Sequence, residues 1–173
     1  MPDTFIKIAS VTVGSGGASS IDFTSIPSTY TDLVLKLSLR GSTTAGNQTA
    51  YIQYNNDTTL GNYSGRYVFG DGASASSSST TSYNFLGSAA DAGATASTFN
   101  SVDLYIPNYA GSTQKSSSVD MARENNATST YIVQALYANL WTGTAAISSF
   151  KVFIFSGNFD QYSTATLYGI KNS

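Results

Sequence analysis

The sequence predicts an all-β protein: an antiparallel β-sandwich, jelly-roll-like, with at most short helical turns. Three observations carry this. Residues 31–40 put Leu33, Leu35, Leu37 and Leu39 on one side of an extended chain, with Asp32, Lys36, Ser38 and Arg40 among the residues opposite. A helix would scatter those leucines around its circumference, so the period of two overrules leucine's modest strand preference. Residues 147–170 read as two strands about a Gly157-Asn158 turn. The first is apolar on both faces, Phe150, Val152 and Ile154 alternating with Lys151, Phe153 and Phe155, and such a strand is expected to be enclosed on both sides. Glycine and asparagine punctuate the rest at short intervals, the spacing of an antiparallel sandwich. At roughly nine to eleven strands, the jelly roll is the expected topology.

The elements follow in order. Residues 5–13 are β-branched and apolar but alternate poorly; they read as a first strand, ended by Gly14-Ser15-Gly16-Gly17. Residues 21–23 form a short strand stopped before Pro27, and the leucine strand follows. Residues 41–48 are a loop and 49–54 a strand. Asn55-Asn56-Asp57-Thr58 caps a short helical turn before Tyr63, and residues 65–69 resume a strand closed by Gly70-Asp71-Gly72. Residues 73–82 are nearly all serine and threonine, with no large apolar side chain, and read as a mobile surface loop. A short strand at 83–86 precedes a second small-residue loop at 87–97. Residues 98–106 carry Val102, Leu104 and Ile106 on one face, and Pro107-Asn108-Tyr109-Ala110-Gly111 ends them with turn chemistry. Residues 114–122 align Ser117, Val119 and Met121. After an Asn125-Asn126 turn, residues 130–140 put Ile132, Leu136, Ala138 and Leu140 on one face and Tyr131, Val133 and Tyr137 on the other. Residues 142–145 turn, and the terminal pair closes the sheet, its last strand tied in by Ala165, Leu167 and Tyr168.

One domain over residues 1–173 is the expectation at this length. Charged residues make up 10% of the chain and the net charge is −2. The eight lysines and arginines are scattered, so nucleic acid is not an expected partner. Polarity comes from hydroxyls, amides and glycine instead. The N-terminus has no basic segment followed by an apolar one, and no apolar run is long enough to span a membrane. Synthesis in a cytoplasm and exit by another route, such as lysis, is the expectation.

The chain has no cysteine and no histidine. That removes disulfides, a thiol nucleophile, the Ser-His-Asp arrangement and the commonest metal ligand. Ten carboxylates remain, none in a recognisable motif, and most read as turn residues or exposed strand positions. Asn55-Asn56-Asp57 and Asp71 offer hard oxygen atoms near turns, but without EF-hand spacing they read as turn chemistry. Glycosylation triplets at Asn47, Asn56, Asn62 and Asn126 are expected by chance in so Asn- and Ser-rich a chain. No catalytic residue, cofactor or metal is predicted.

The aromatic load is the excess: 12 Tyr, 9 Phe and 1 Trp. Tyr63, Tyr67, Tyr105, Tyr109, Tyr131 and Tyr137 are read as tyrosines at turns or on water-facing strand sides, suited to protein or glycan contact by an apolar body and a polar tip. Trp141 is either a lid over one end of the sandwich or a further contact residue.

At Tyr105-Ile106-Pro107-Asn108-Tyr109-Ala110-Gly111-Ser112 and Tyr162-Ser163-Thr164-Ala165-Thr166-Leu167-Tyr168-Gly169-Ile170 the chain resembles small virion proteins of tailed bacteriophages, common in marine and cyanobacterial phages. Similar features extend to the opening at residues 11–39, the glycine and serine loops and the Ser156-Gly157-Asn158-Phe159 turn. The resemblance implies a jelly-roll-like sandwich displayed on a virion, usually as a homotrimer. Such modules serve as capsid decoration or cement proteins bound to the major capsid protein, as head fibres, and as tail-fibre tips that bind a receptor or host surface glycan. It supplies no functional residues. Because the β-pattern begins almost at Met1, the expectation is a stand-alone decoration protein, with a receptor- or carbohydrate-binding fibre tip as the alternative.

Overall fold

The computed structural model describes residues 4–44, 48–124 and 133–171. Within them run β1 (Phe5–Thr12), β2 (Ser20–Phe23), β3 (Asp32–Ser38), β4 (Gln48–Tyr54), β5 (Tyr63–Gly70), β6 (Ala75–Thr80), β7 (Asn84–Ala89), β8 (Ser101–Ile106), β9 (Lys115–Arg123), β10 (Val133–Trp141), β11 (Phe150–Ile154) and β12 (Thr164–Ile170). The helical content of the described residues is one 3-10 turn, Leu60–Asn62. No helix among them is long and apolar enough to cross a membrane.

The strands pair antiparallel into an eight-stranded sheet, ordered β1-β12-β3-β8-β9-β10-β5-β6, and a four-stranded sheet, ordered β2-β11-β4-β7. The chain changes sheet at most connections. β2, β4, β7 and β11 form the small sheet; β3, the β5-β6 hairpin and the β8-β9-β10 meander form most of the large one. This is jelly-roll wrapping with one strand position widened into a three-stranded meander, and with β12 and β1 added outside β3.

Register decides which side chains meet in the core. Leu33, Leu35 and Leu37 stand opposite Ile106, Leu104 and Val102, and Val119 and Met121 stand opposite Leu104 and Val102. In the small sheet Val152 lies between Ile21 and Ile52, and Phe150 between Phe23 and Tyr54. All are buried, each stabilising the fold by about 1.5–3 kcal/mol through burial. The sheets approach closely at Gly87. It sits at φ +97° beside a bulge in the β4–β7 ladder, where a Cβ would lie 2.5 Å from Met121 Cγ. Only glycine combines that backbone with that clearance.

Several expectations need correction. The poor alternation of residues 5–13 has a cause: the β1–β12 register shifts between Lys7 and Ala9. Residues 73–82 are not simply a loop. Asp71 Oδ1 accepts the Ala73 and Ser74 N–H groups at 2.9 and 2.7 Å, making a turn that leads into β6, which pairs with β5 along its length. β6 keeps its serines exposed, so it is held by its backbone ladder and not by burial. β7 continues through Ala89, into a stretch expected as loop. Asp32 and Asp91 are buried rather than exposed. Asp32 accepts hydrogen bonds from the Tyr105 hydroxyl and the Asn108 N–H, both 2.9 Å, and Asp91 Oδ1 accepts those of Gly93 and Ala94. Finally, β11 is enclosed on one face only: Phe153 and Phe155 point away from the core. The predicted Asn125-Asn126 turn, Tyr131, Ile132 and the triplet residues Asn47 and Asn126 lie outside the described residues.

Candidate functional site

The predicted contact residues separate into three groups. Tyr63, Tyr109 and Trp141 belong to the core, correcting their water-facing or contact placement. Tyr63 is 1% exposed; its hydroxyl donates to Asp57 O at 2.9 Å and accepts the Tyr54 N–H at 3.2 Å. The Tyr109 ring is fully buried and its hydroxyl donates to the Pro27 carbonyl. Trp141 packs 5.5 Å from the Tyr54 ring, and its Nε1 donates to Asp57 Oδ2 at 2.8 Å. Burial works to raise the Asp57 carboxyl, but hydrogen bonds from Trp141, Asn62 and Thr59 outweigh it and hold the group below its ordinary value. Burial drives the Tyr54 hydroxyl, set against Ser117 and Asn84, up to about 12, and raises Tyr63 further still.

Tyr105 stands alone on the outer face of the large sheet, 39% exposed. Its hydroxyl donates to Asp32, and that bond, followed by partial burial, raises its pKa.

Tyr67 and Tyr137 come together, with ring centroids 5.3 Å apart. Tyr137 points inward, not outward as its strand pattern suggested, because it pairs with Val119, whose side chain belongs to the core face of β9. The outward residues of β10 are Gln134, Leu136 and Ala138. β7 is the edge of the small sheet and packs over β9 and β10, with β5 beside them. The inner faces of β5 and the start of β10 therefore run out beyond β7. Tyr67, Phe69, Val133 and Tyr137 line a cleft of about 190 Å³ there with Thr49 and Phe85.

Phe85 on β7 carries the aromatic surface round that edge. Its ring lies 5.5 Å from Tyr67 on one side and 5.2 Å from Tyr51 on the other. Tyr51 in turn stacks on Phe153 at 5.7 Å and meets Phe155 at 4.6 Å. Tyr83 touches Phe153 at 5.2 Å and connects back to the core through Tyr63 at 5.1 Å. The result is one continuous belt of rings from the interior, round the β7 edge, onto the outer face of the small sheet. Most of its members are half-buried by one another, whereas Phe155 is 66% exposed. Edge and offset contacts of this kind each add about 0.5–1.5 kcal/mol beyond area burial. Burial raises the Tyr51 hydroxyl, with Thr49 bonding to it and Tyr67 nearby; it stays a neutral donor and acceptor at physiological pH.

The belt offers apolar ring faces and phenol hydroxyls, the groups of a contact surface. Among the described residues there is no group of three His, Cys, Asp or Glu side chains able to hold a metal ion. Sequence reasoning found Tyr67 and Tyr137 but missed Tyr51, Phe69, Tyr83, Phe85, Phe153 and Phe155. The available signal is the second apolar face of residues 150–155, which fits an enclosed strand and an exposed aromatic row equally well.

No family model matches the chain, and no curated protein matches it. Among solved structures, a variant fructofuranosidase from Schwanniomyces occidentalis complexed with fructosylnystose aligns with 99% of this chain and 35% of its own, at 9% identity and a TM-score of 0.26. So loose a superposition identifies neither a fold relationship nor an activity.

Proposed function

We propose that the protein is a non-enzymatic structural component of a tailed-phage particle, a capsid decoration or cement protein displayed on the virion surface as a homotrimer. The aromatic belt is the observation that carries this reading. A contiguous, half-exposed aromatic patch suits a protein–protein contact, and its burial against another subunit would supply the binding energy. The lack of histidine and cysteine supports a surface that holds rather than reacts. The resemblance at residues 105–112 and 162–170 supplies the particle. The scarcity of charge fits a contact that must survive changing salt, because apolar area is not screened as ion pairs are.

Imaging particles assembled with and without the protein is the direct test. Copies distributed over the capsid, with shells that rupture more readily in their absence, are expected. Copies confined to the tail tip would overturn the cement reading in favour of a receptor-binding fibre tip. Light scattering of the isolated protein should give a trimer; a stable monomer at micromolar concentration would remove the homotrimer from the proposal.

A further inference from the structure

At one end of the sandwich the β1–β2, β3–β4, β7–β8 and β11–β12 connections converge on an open cleft of about 410 Å³. We propose that this cleft binds an uncharged saccharide, with Tyr162 as the stacking platform and Asn158, Asp160 and Gln161 as the hydrogen-bonding groups.

Backbone rigidity is the first argument. The segment 158–163 is fastened on both sides. Phe159 is fully buried and exchanges two backbone hydrogen bonds with Ala18, at 2.7 and 3.0 Å. Asp160 N donates to Arg40 O at 2.8 Å, Ser42 N donates to Asn158 O at 2.9 Å, and Tyr162 N donates to Val13 O at 3.0 Å. The side chains of Asn158, Gln161 and Tyr162 make no hydrogen bond within the described residues. A fixed backbone avoids the cost of ordering the loop, so that a ligand immobilises only the side chains it touches.

Tyr162 is the second argument. It is 66% exposed and holds φ at +73°, a conformation that bulky L-residues rarely adopt. Neither burial nor a hydrogen bond of its side chain rewards the tyrosine there, and glycine would sit without strain. Strain at an exposed aromatic is the pattern of a residue kept for contact. Phe99 adds a second, half-buried ring to the cleft wall.

Charge decides the ligand class. The ionic groups lining the cleft are Arg40 and Asp160, Nε to Oδ2 at 3.6 Å. The Arg40 terminal nitrogens are already committed to the carbonyls of Ala94, Thr95 and Thr98 at 3.0–3.4 Å. That leaves a locked cation, a carboxylate with spare acceptor positions, two amides and a ring. The set is electrically balanced, with no free cation for a sulfate, phosphate or uronate. Paired hydroxyls of a neutral sugar match the carboxylate and amides, while the C–H face of a pyranose lies against Tyr162. The volume suits one to three sugar units.

Saturation-transfer NMR tests the proposal, using the full chain with a panel of neutral gluco-, manno- and galacto-oligosaccharides beside sulfated and uronate oligosaccharides. At least one neutral member should bind in roughly the millimolar range, with affinity reduced about tenfold or more in Tyr162→Gly and in Asp160→Ala. Tyr162→Gly should melt no lower than the parent, because glycine relieves the positive φ; this separates lost binding from lost folding. Tyr105→Ala, on the large-sheet face, should bind as the parent does. No transfer from any neutral member at about 10 mM, binding unchanged in both cleft variants, or binding confined to charged members would each overturn the proposal. None of these outcomes depends on where the protein sits on a particle.

Discussion

The outer faces of the two sheets obey different rules. On the large sheet, Ser116, Ser118 and Asp120 of β9, Ser101 and Asp103 of β8 and Lys36 of β3 face water, with Lys36 and Asp103 paired at 2.7 Å. Its exposed apolar side chains include Val68 and Leu136, cross-strand neighbours set among serines. On the small sheet the same outward positions hold Tyr51, Phe85, Phe153 and Phe155. The large sheet spaces its exposed apolar side chains, Phe5, Tyr105 and the Val68–Leu136 pair, among polar ones, whereas the rings of the small sheet touch one another in a continuous row.

Substitutions along β11 break this comparison most strongly. Phe150→Ala, on the inner face, should cost about 3–5 kcal/mol, a fall in melting temperature of roughly 10 °C, measured by calorimetry. Gly87→Ala probes the clearance between the sheets. Strain at positive φ and the contact with Met121 together should cost about 3 kcal/mol, and the Gly87→Ala/Met121→Ala double variant should lose less than the sum of the two single losses.

Alkaline titration probes the enclosed tyrosines, Tyr54 and Tyr63 in the core and Tyr137 at the inner end of the belt. The Tyr54 hydroxyl stays protonated in the folded protein to about pH 12, whereas an unfolded tyrosine ionises near 10. The unfolded chain therefore releases its proton first. The stabilisation is fully present below pH ~10 and lost as pH climbs to ~12, at roughly 1.4 kcal/mol per pH unit for this group. Tyr63 acts in the same direction. Denaturant midpoints should fall steadily over that window, and a flat profile would contradict the buried placement. The smallest effect on stability should come from Phe155→Ser: about 1 kcal/mol, for the lost ring contacts with Tyr51 and Phe153, yet with clearly weaker self-association in sedimentation. Full association by that variant would remove the belt from the subunit contact.

The comparison also explains what was legible in the sequence. β8 and β9 were readable because one face is buried and the other is wet, so period two is written directly in the residues. β6 left no such trace: its serines are exposed, and a backbone ladder has no preferred side chains. Tyr137 was misassigned because Leu136, Ala138 and Leu140 mimic a core face, and only pairing with Val119 fixes the true parity. The belt shows a further limit. Phe153 and Phe155 announce that a second face is apolar but not what covers it. Strand order, unlike strand pattern, depends on contacts far apart in the chain, and so does the meeting of Phe85 with Tyr67.

The position of β12 has a consequence for how the molecule assembles. β1 is bonded on one side, to β12, and β12 lies between β1 and β3. β1 must therefore wait for its partner until residue 170 has emerged from the ribosome. Closing so long a loop is entropically slow. Until it closes, the leucine strand presents a bare edge to every other nascent copy nearby. Removing residues 164–170 should send the protein into inclusion bodies well before it alters any surface the finished protein displays.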